Sequence, residues 1–206
     1  MNSAHSQHGN GPQTSATLLL QIRPESPVRE LAWEEFHRRY APIIAGFARK
    51  MGGKPQDRED VVQDVMAGFF AASPQFRYDP LKGRFRGFLK VCTFRAMRRR
   101  LGQNAKFAGV PLDQIDPEAL EVDDAWNDVW EHEHLRRAMR ELRDEYEATP
   151  QRLRTFRAFE LFGLLEQPAP DVAKKLGISV DSVHQAKHRI TEALRTKLRT
   201  LEETEG

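Results

Sequence analysis

The sequence predicts an all-α protein: two small helical domains joined by a flexible acidic linker, the second ending in a helix-turn-helix. Three observations predict it. Apolar residues recur at three- and four-residue spacing along most of the chain. Gly and Pro interrupt these runs where helices should end. The alternating apolar and polar pattern of a half-buried strand is credible nowhere. A length of 206 residues suits one large domain or two small ones.

Charge is informative through its distribution. Lys and Arg number 32 and Asp and Glu 30, so the net charge of +2 says little. Yet Arg84, Arg86, Lys90, Arg95, Arg98, Arg99 and Arg100 cluster without an intervening acid, and Asp113 to Glu133 is strongly acidic. Such asymmetry points to a basic surface for a polyanion and an acidic connector. Cys92 is the single cysteine, which rules out an internal disulfide and makes a Cys-based zinc site a poor reading. It falls on an apolar helix face, as a buried small hydrophobe would. No apolar run approaches membrane-spanning length, and Leu18-Leu19-Leu20 is no signal sequence. A soluble, cytoplasmic chain without membrane insertion is expected.

Residues 1 to about 14 are rich in Ser, His, Gln, Asn and Gly and read as disordered; helical patterning convinces only from about Val28, so the tail is drawn at 1–25. His5 and His8 belong to that solvated tail. The first domain, 26–104, opens with Trp33, Phe36, Tyr40, Ile43, Ile44, Phe47 and Met51 on one stripe, closed by Gly52-Gly53. Asp57 is placed to cap the next helix. Val61, Val62, Val65, Met66, Phe69 and Phe70 face inward, and Glu59, Asp60, Gln63 and Asp64 make an acidic outer face. Acids near a helix N-terminus also favour the helix dipole, so stabilisation alone would account for them. Ser73-Pro74 ends this helix.

The loop from Gln75 to Gly83 displays Phe76 and Tyr78 between Arg77 and Lys82. Rings stack on unstacked bases and cations hold phosphates, so this composition suits single-stranded nucleic acid. Equally, Phe76 could plug the core. A helix from about Phe85 to Gly102 then turns Phe85, Phe88, Leu89, Cys92 and Ala96 inward and carries the basic cluster outward. Gly109, Pro111 and Pro117 mark a linker over 105–124. The second domain, 125–202, begins with Trp126, Val129, Trp130, Leu135, Met139 and Leu142. Leu153, Phe156, Phe159, Leu161, Phe162 and Leu164 follow on a further helix.

That domain closes on Pro170 to Leu201. Val172, Ala173 and Leu176 form a short helix that stops at Gly177, the residue best suited to a left-handed end. Ile178 plugs the corner and Ser179 is a good N-cap for a second helix. On it Val183, Ala186, Ile190, Ala193, Leu194, Leu198 and Leu201 make one apolar stripe, with Ser182, His184, Gln185, Lys187, His188 and Arg189 pointing elsewhere. A helix of this kind fits the major groove of DNA. Gln185 can pair with adenine, and Arg189 or Lys187 with guanine or a phosphate. An ordinary helical hairpin with a solvated basic face is the bland alternative. His184 and His188 lie four apart, but no third ligand accompanies them, so no metal site is assigned. There is no Gly-rich phosphate loop, nucleophile elbow or HExxH motif. Nothing proposes a catalytic residue, a cofactor or an enzyme.

Two segments together carry a resemblance. D-R-E-D-V-V-Q-D-V-M-A-G-F-F at Asp57 to Phe70, with S-P-Q-F-R-Y-D-P-L-K-G-R-F-R-G-F-L at Ser73 to Leu89, is similar to the second conserved region of an extracytoplasmic-function (ECF, group IV) sigma factor of bacterial RNA polymerase, in the sigma-70 family. P-D-V-A-K-K-L-G-I-S-V-D-S-V-H-Q-A-K-H-R-I at Pro170 to Ile190 resembles that family's fourth region. The resemblance covers roughly residues 28 to 202.

It implies core RNA polymerase and promoter DNA as partners, and an anti-sigma factor as a further one, since many relatives are so controlled. Asp60, Gln63 and Asp64 would dock on the clamp helices of the largest polymerase subunit. Phe76, Arg77 and Tyr78, with Lys90 and Arg95 of the basic helix, would recognise the melted minus-ten element. Ser182, His184, Gln185, Lys187, His188 and Arg189 would meet the minus-thirty-five duplex. The chain departs from the family's pattern at Phe88, where Trp is frequent, at Arg95, where Asn is frequent, and in a longer loop over Tyr78 to Lys82. A free-standing helix-turn-helix regulator that acts without polymerase is the alternative; it would need neither the acidic face nor the single-strand loop. A purely structural helical adaptor would not need the clustered basic residues.

Overall fold

In the computed structural model, which describes residues 15–75, 85–107, 109–111, 114–116 and 118–205, the helical spacing of the sequence becomes an all-α fold. The chain divides into two compact units, Met1–Glu131 with Glu203–Gly206, and His132–Glu202.

The first unit contains α1 (Ser15–Gln21), α2 (Arg29–Lys50), α3 (Pro55–Ala72), α4 (Phe85–Leu101) and the first part of α5 (Leu120–Glu147). Phe36, Tyr40, Ile43, Ile44 and Phe47 of α2 and Met51 at its C-cap are fully buried, as their spacing predicts. Phe36 meets Phe69 of α3 at 5.2 Å and Phe85 of α4 at 6.1 Å between ring centroids, and Tyr40 meets Phe85 at 5.1 Å. Offset and edge-to-face pairs of this kind add to the burial of the rings themselves. The buried Arg39 is paired with Glu35 and, at 3.0 Å, with Glu205, so its charge is not left uncompensated in the core.

Several features differ from the sequence expectation. The tail drawn at 1–25 ends earlier, because residues 15–21 form α1 and Leu18, Leu19 and Ile22 are buried in the core. A seven-residue helix is marginal alone and is stabilised by this packing. Asp57 is not the N-cap of α3: Pro55 begins the helix and Asp57 caps from the third position, its Oδ2 accepting the Lys54 N–H at 3.0 Å. Helix α4 turns Thr93, Phe94 and Met97 inward, whereas Phe88 stays largely exposed and Cys92 half-buried. Thr93 tolerates burial because its hydroxyl donates to the Leu89 carbonyl. A minimal antiparallel hairpin pairs Lys106–Phe107 with Val110–Pro111, too short for any period-two pattern to reveal. It lies beside Gly52, whose φ of +88° and 2.5 Å approach of a notional Cβ to the Lys106 carbonyl demand glycine.

The linker is also shorter than 105–124, since α5 starts at Leu120. Val122, Ala125, Trp126, Val129 and Trp130 belong to the core of the first unit. The sequence reading places Trp126 and Trp130 in the second domain because an apolar stripe does not say which surface it faces. Trp126 stands edge-on to Phe47 at 5.0 Å, and Trp130 stacks on Tyr40 at 6.3 Å.

The second unit holds the remainder of α5, then α6 (Pro150–Phe159), a π turn (Glu160–Leu164), α7 (Ala169–Leu176) and most of α8 (Val180–Glu205). Leu142, Tyr146, Phe156, Phe159 and Ile190 form one apolar cluster. Ala158, Ala169, Val172, Ala173, Val183 and Ala186 form another, which joins α7 to α8. Gly177 takes the left-handed conformation at φ +62° and ends α7, and Ser179 Oγ accepts the Ser182 N–H at 3.1 Å to start α8. Leu164 is largely exposed, outside the stripe expected for it.

Trp126→Ala should destabilise the first unit by about 3–5 kcal/mol, the usual cost of emptying a buried tryptophan site. Urea unfolding followed by circular dichroism measures this; a residue in a free linker would give almost no change.

Candidate functional site

The acidic face of α3 is engaged within the first unit. Gln63 is exposed, and Asp60 and Asp64 are half-buried beside the last turn of α4. Arg100 grips Asp64 through two hydrogen bonds of 2.7 Å and reaches Asp60 at 3.1 Å; Arg99 adds a 3.0 Å bond to Asp64. A bidentate guanidinium–carboxylate fork fixes geometry better than a single contact. The Arg100 hydrogen bonds, against a smaller opposing effect of burial and with help from Arg99, hold the Asp64 carboxyl well below the usual carboxylate range. Asp64 in turn raises the Arg100 guanidinium above its ordinary value. These contacts occupy two of the three side chains assigned to polymerase docking and tie α3 to α4.

The basic face of α4 is divided. Arg95 is exposed. Lys90 is paired with Asp123 of α5 and its side chain is only 12 % exposed. Arg86 lies over the Trp130 ring at 5.1 Å and is also hydrogen-bonded to Asn127. Thus the acidic start of α5 covers part of the surface expected for nucleic acid. Burial pushes the Cys92 thiol up, partly offset by nearby Arg95, as suits an inert packing cysteine. Phe76, Arg77, Tyr78, Lys82 and Arg84 lie outside the described residues.

In the second unit, burial of Val183, Ala186 and Ile190 leaves Ser182, His184, Gln185, Lys187, His188 and Arg189 on the exposed side of α8. They are not equivalent. Ser182 Oγ is 2.8 Å from Ser179 Oγ, within the helix cap. His184 stands edge-on to Phe162 at 4.9 Å, and Lys187 Nζ lies 5.0 Å from the same ring centroid. Gln185, His188 and Arg189 project from the helix with the N-terminal half of α8 to carry them, which is the part that reaches base edges in a helix-turn-helix.

From sequence alone Arg99 and Arg100 read as part of a basic surface for a polyanion, Phe162 as core and Asp123 as one acid of an acidic connector, and the partners of none of them are evident. Arg100 follows Asp64 by 36 positions and Asp123 follows Lys90 by 33, so no local spacing links them. Excess charge of opposite sign on α3 and α4 was the only available signal.

Residues 36–107, all within the first unit, match the family model described as Sigma-70 region 2. That stretch contains Asp60, Gln63, Asp64, the loop of Phe76, Arg77 and Tyr78, and both Lys90 and Arg95. No curated protein matches the sequence. Among solved structures, the chain is similar to CnrH in complex with the cytosolic domain of CnrY, at 21 % identity, covering 92 % of this chain and 97 % of that one with a TM-score of 0.35. Among the described residues, no helix is long and apolar enough to cross a membrane.

The depressed Asp64 carboxyl sets a pH signature. Because its folded pKa lies below its unfolded value of about 4, its contribution to stability is present above that pH and lost as pH falls toward the folded value. Asp64→Asn should therefore lower stability at pH 7 and flatten the loss between about pH 4 and pH 2. Urea titrations of both proteins at several pH values check this; parallel curves would separate Asp64 from the α3–α4 contact.

Proposed function

We propose that this chain is an ECF sigma factor: it binds core RNA polymerase and directs promoter-specific transcription initiation by recognising minus-ten and minus-thirty-five elements. One observation carries the reading. A Sigma-70 region 2 shares the chain with a helix-turn-helix whose second helix exposes Gln185, His188 and Arg189.

The physics of the two elements supports it. Asp60, Gln63 and Asp64 on α3 are the polymerase-facing residues, with Arg99 and Arg100 holding the two carboxylates in place. Phe76, Arg77 and Tyr78 supply rings and charge for unstacked minus-ten bases, with Arg95 on the exposed side of α4. Lys90 joins them only if it leaves Asp123. Helix α8 meets the minus-thirty-five duplex. Each reader alone would bind weakly; polymerase fixes their separation and raises the effective concentration of the second after the first has engaged. A free-standing regulator would have no use for a Sigma-70 region 2. No residue is assigned a catalytic role and no cofactor is invoked. An anti-sigma factor is a partner this reading admits, and the exposed apolar and basic surfaces are what it would cover.

Reconstituted transcription tests the function. Core RNA polymerase with the full chain should start transcripts at discrete sites selected from a genomic template, and core alone should not. Duplex binding by the chain with no association to core, and no directed starts, would favour the free-standing regulator.

Within that system, Arg189→Ala should cost about 1–3 kcal/mol in duplex binding and relax the preference at one base-pair position. Competition with single-base variants of a selected site measures it. A uniform loss across all sequences would make Arg189 a phosphate contact.

A further inference from the structure

Phe162 lies on the π turn between α6 and α7, packed against the cluster of Val172, Val183 and Ala186. Its ring meets two of the expected duplex readers at once. His184 presents a nearly perpendicular plane, 85° from that of Phe162, and the Lys187 ammonium sits over the same ring. The two residues are three apart on α8 and therefore share a face. A cation is attracted to the face of an aromatic ring, and the apolar lysine stem can lie along it. Gln185, His188 and Arg189 have no contact of this kind with Phe162 among the described interactions.

We propose that Phe162 is a positioning residue for duplex recognition: with Lys187 as a brace, it fixes the His184 ring at the start of α8, so Lys187 serves packing and not phosphate binding. This rests on the reading that α8 enters duplex DNA. An imidazole already held against a ring loses less rotamer freedom on binding than a free one. A lysine held over a ring is withdrawn from the phosphate contacts that make binding salt-dependent. Base reading then falls to His184, Gln185, His188 and Arg189.

Three full-length variants test it: Lys187→Met, which keeps the stem; Phe162→Leu, which fills the space without a ring; and Phe162→Tyr, which restores the ring. Binding to a randomised duplex library is measured over a salt series, with the chain alone and with core polymerase added. Lys187→Met should leave the slope of log affinity against log salt unchanged, whereas loss of a phosphate contact would reduce it by about one. Phe162→Leu should lose about tenfold in discrimination at one base-pair position, with Phe162→Tyr close to the parent. A reduced slope in Lys187→Met, or parental discrimination in Phe162→Leu, would overturn the assignment. Nuclear magnetic resonance of the free chain separates the two layers of the argument. The Lys187 side-chain methylene protons should be shifted upfield by the ring and move downfield in Phe162→Leu. Absence of that change defeats the positioning role whatever the DNA results. Its presence in a chain that binds no duplex defeats the DNA reading of α8, and the recognition role with it.

Discussion

The aromatic packing of Phe36, Tyr40, Phe69 and Phe85 is the contact on which the first unit depends. It brings three helices together at ring separations of 4.8 to 6.1 Å. With Phe85 seated against both α2 and α3, the axis of α4 is constrained at its first residue, and its last turn reaches the acidic face of α3. The Asp64–Arg100 fork joins the same two helices at the other end of α4. Exposed ion pairs contribute little to stability by themselves, typically about 0–1 kcal/mol. What this one supplies is orientation of side chains that the proposed polymerase contact would use.

A second consequence follows from charge. The basic residues of α4 are not one uniform surface. Arg99 and Arg100 turn to α3, Arg86 and Lys90 turn to α5, and Arg95 faces outward. The acidic start of α5 is helical and packed through Val122, Trp126 and Trp130. Its acids therefore neutralise neighbours in their own unit, where a freely moving connector would simply avoid DNA. Under the proposed function, nucleic acid must compete with Asp123 for Lys90. Such competition would favour a strand that also offers unstacked bases over duplex, whose bases stay stacked and paired.

The helix-turn-helix was the most legible part of the sequence, and the reason is local. Gly177 at a left-handed position, Ser179 as a cap and the Val183–Ala186–Ile190 stripe are all decided within a few residues. The stripe of α2 was legible for the same reason. Less legible was anything that depends on which surfaces meet. Trp126 and Trp130 lie on a clear apolar stripe, yet periodicity gives the face and not the neighbour. Leu18, Leu19 and Ile22 were missed because a short helix has too few turns to show a period, although packing gives it a place. The candidate site divides in the same way. Exposure of Gln185, His188 and Arg189 follows from helix geometry, whereas the engagement of Asp64, Lys90 and His184 depends on Arg100, Asp123 and Phe162, each brought in by tertiary contacts.

The central claim is that this chain takes polymerase to a promoter and holds the melted strand there. Permanganate reactivity of thymines measures it most directly, on a template carrying a site selected by the chain together with core polymerase. The account predicts reactive thymines in the minus-ten segment only when chain and core are both present. It further predicts weaker reactivity with Tyr78→Ala on duplex template, and transcription by that variant that recovers on a template already melted there. Thymines that stay unreactive with both components bound to the site would contradict the account.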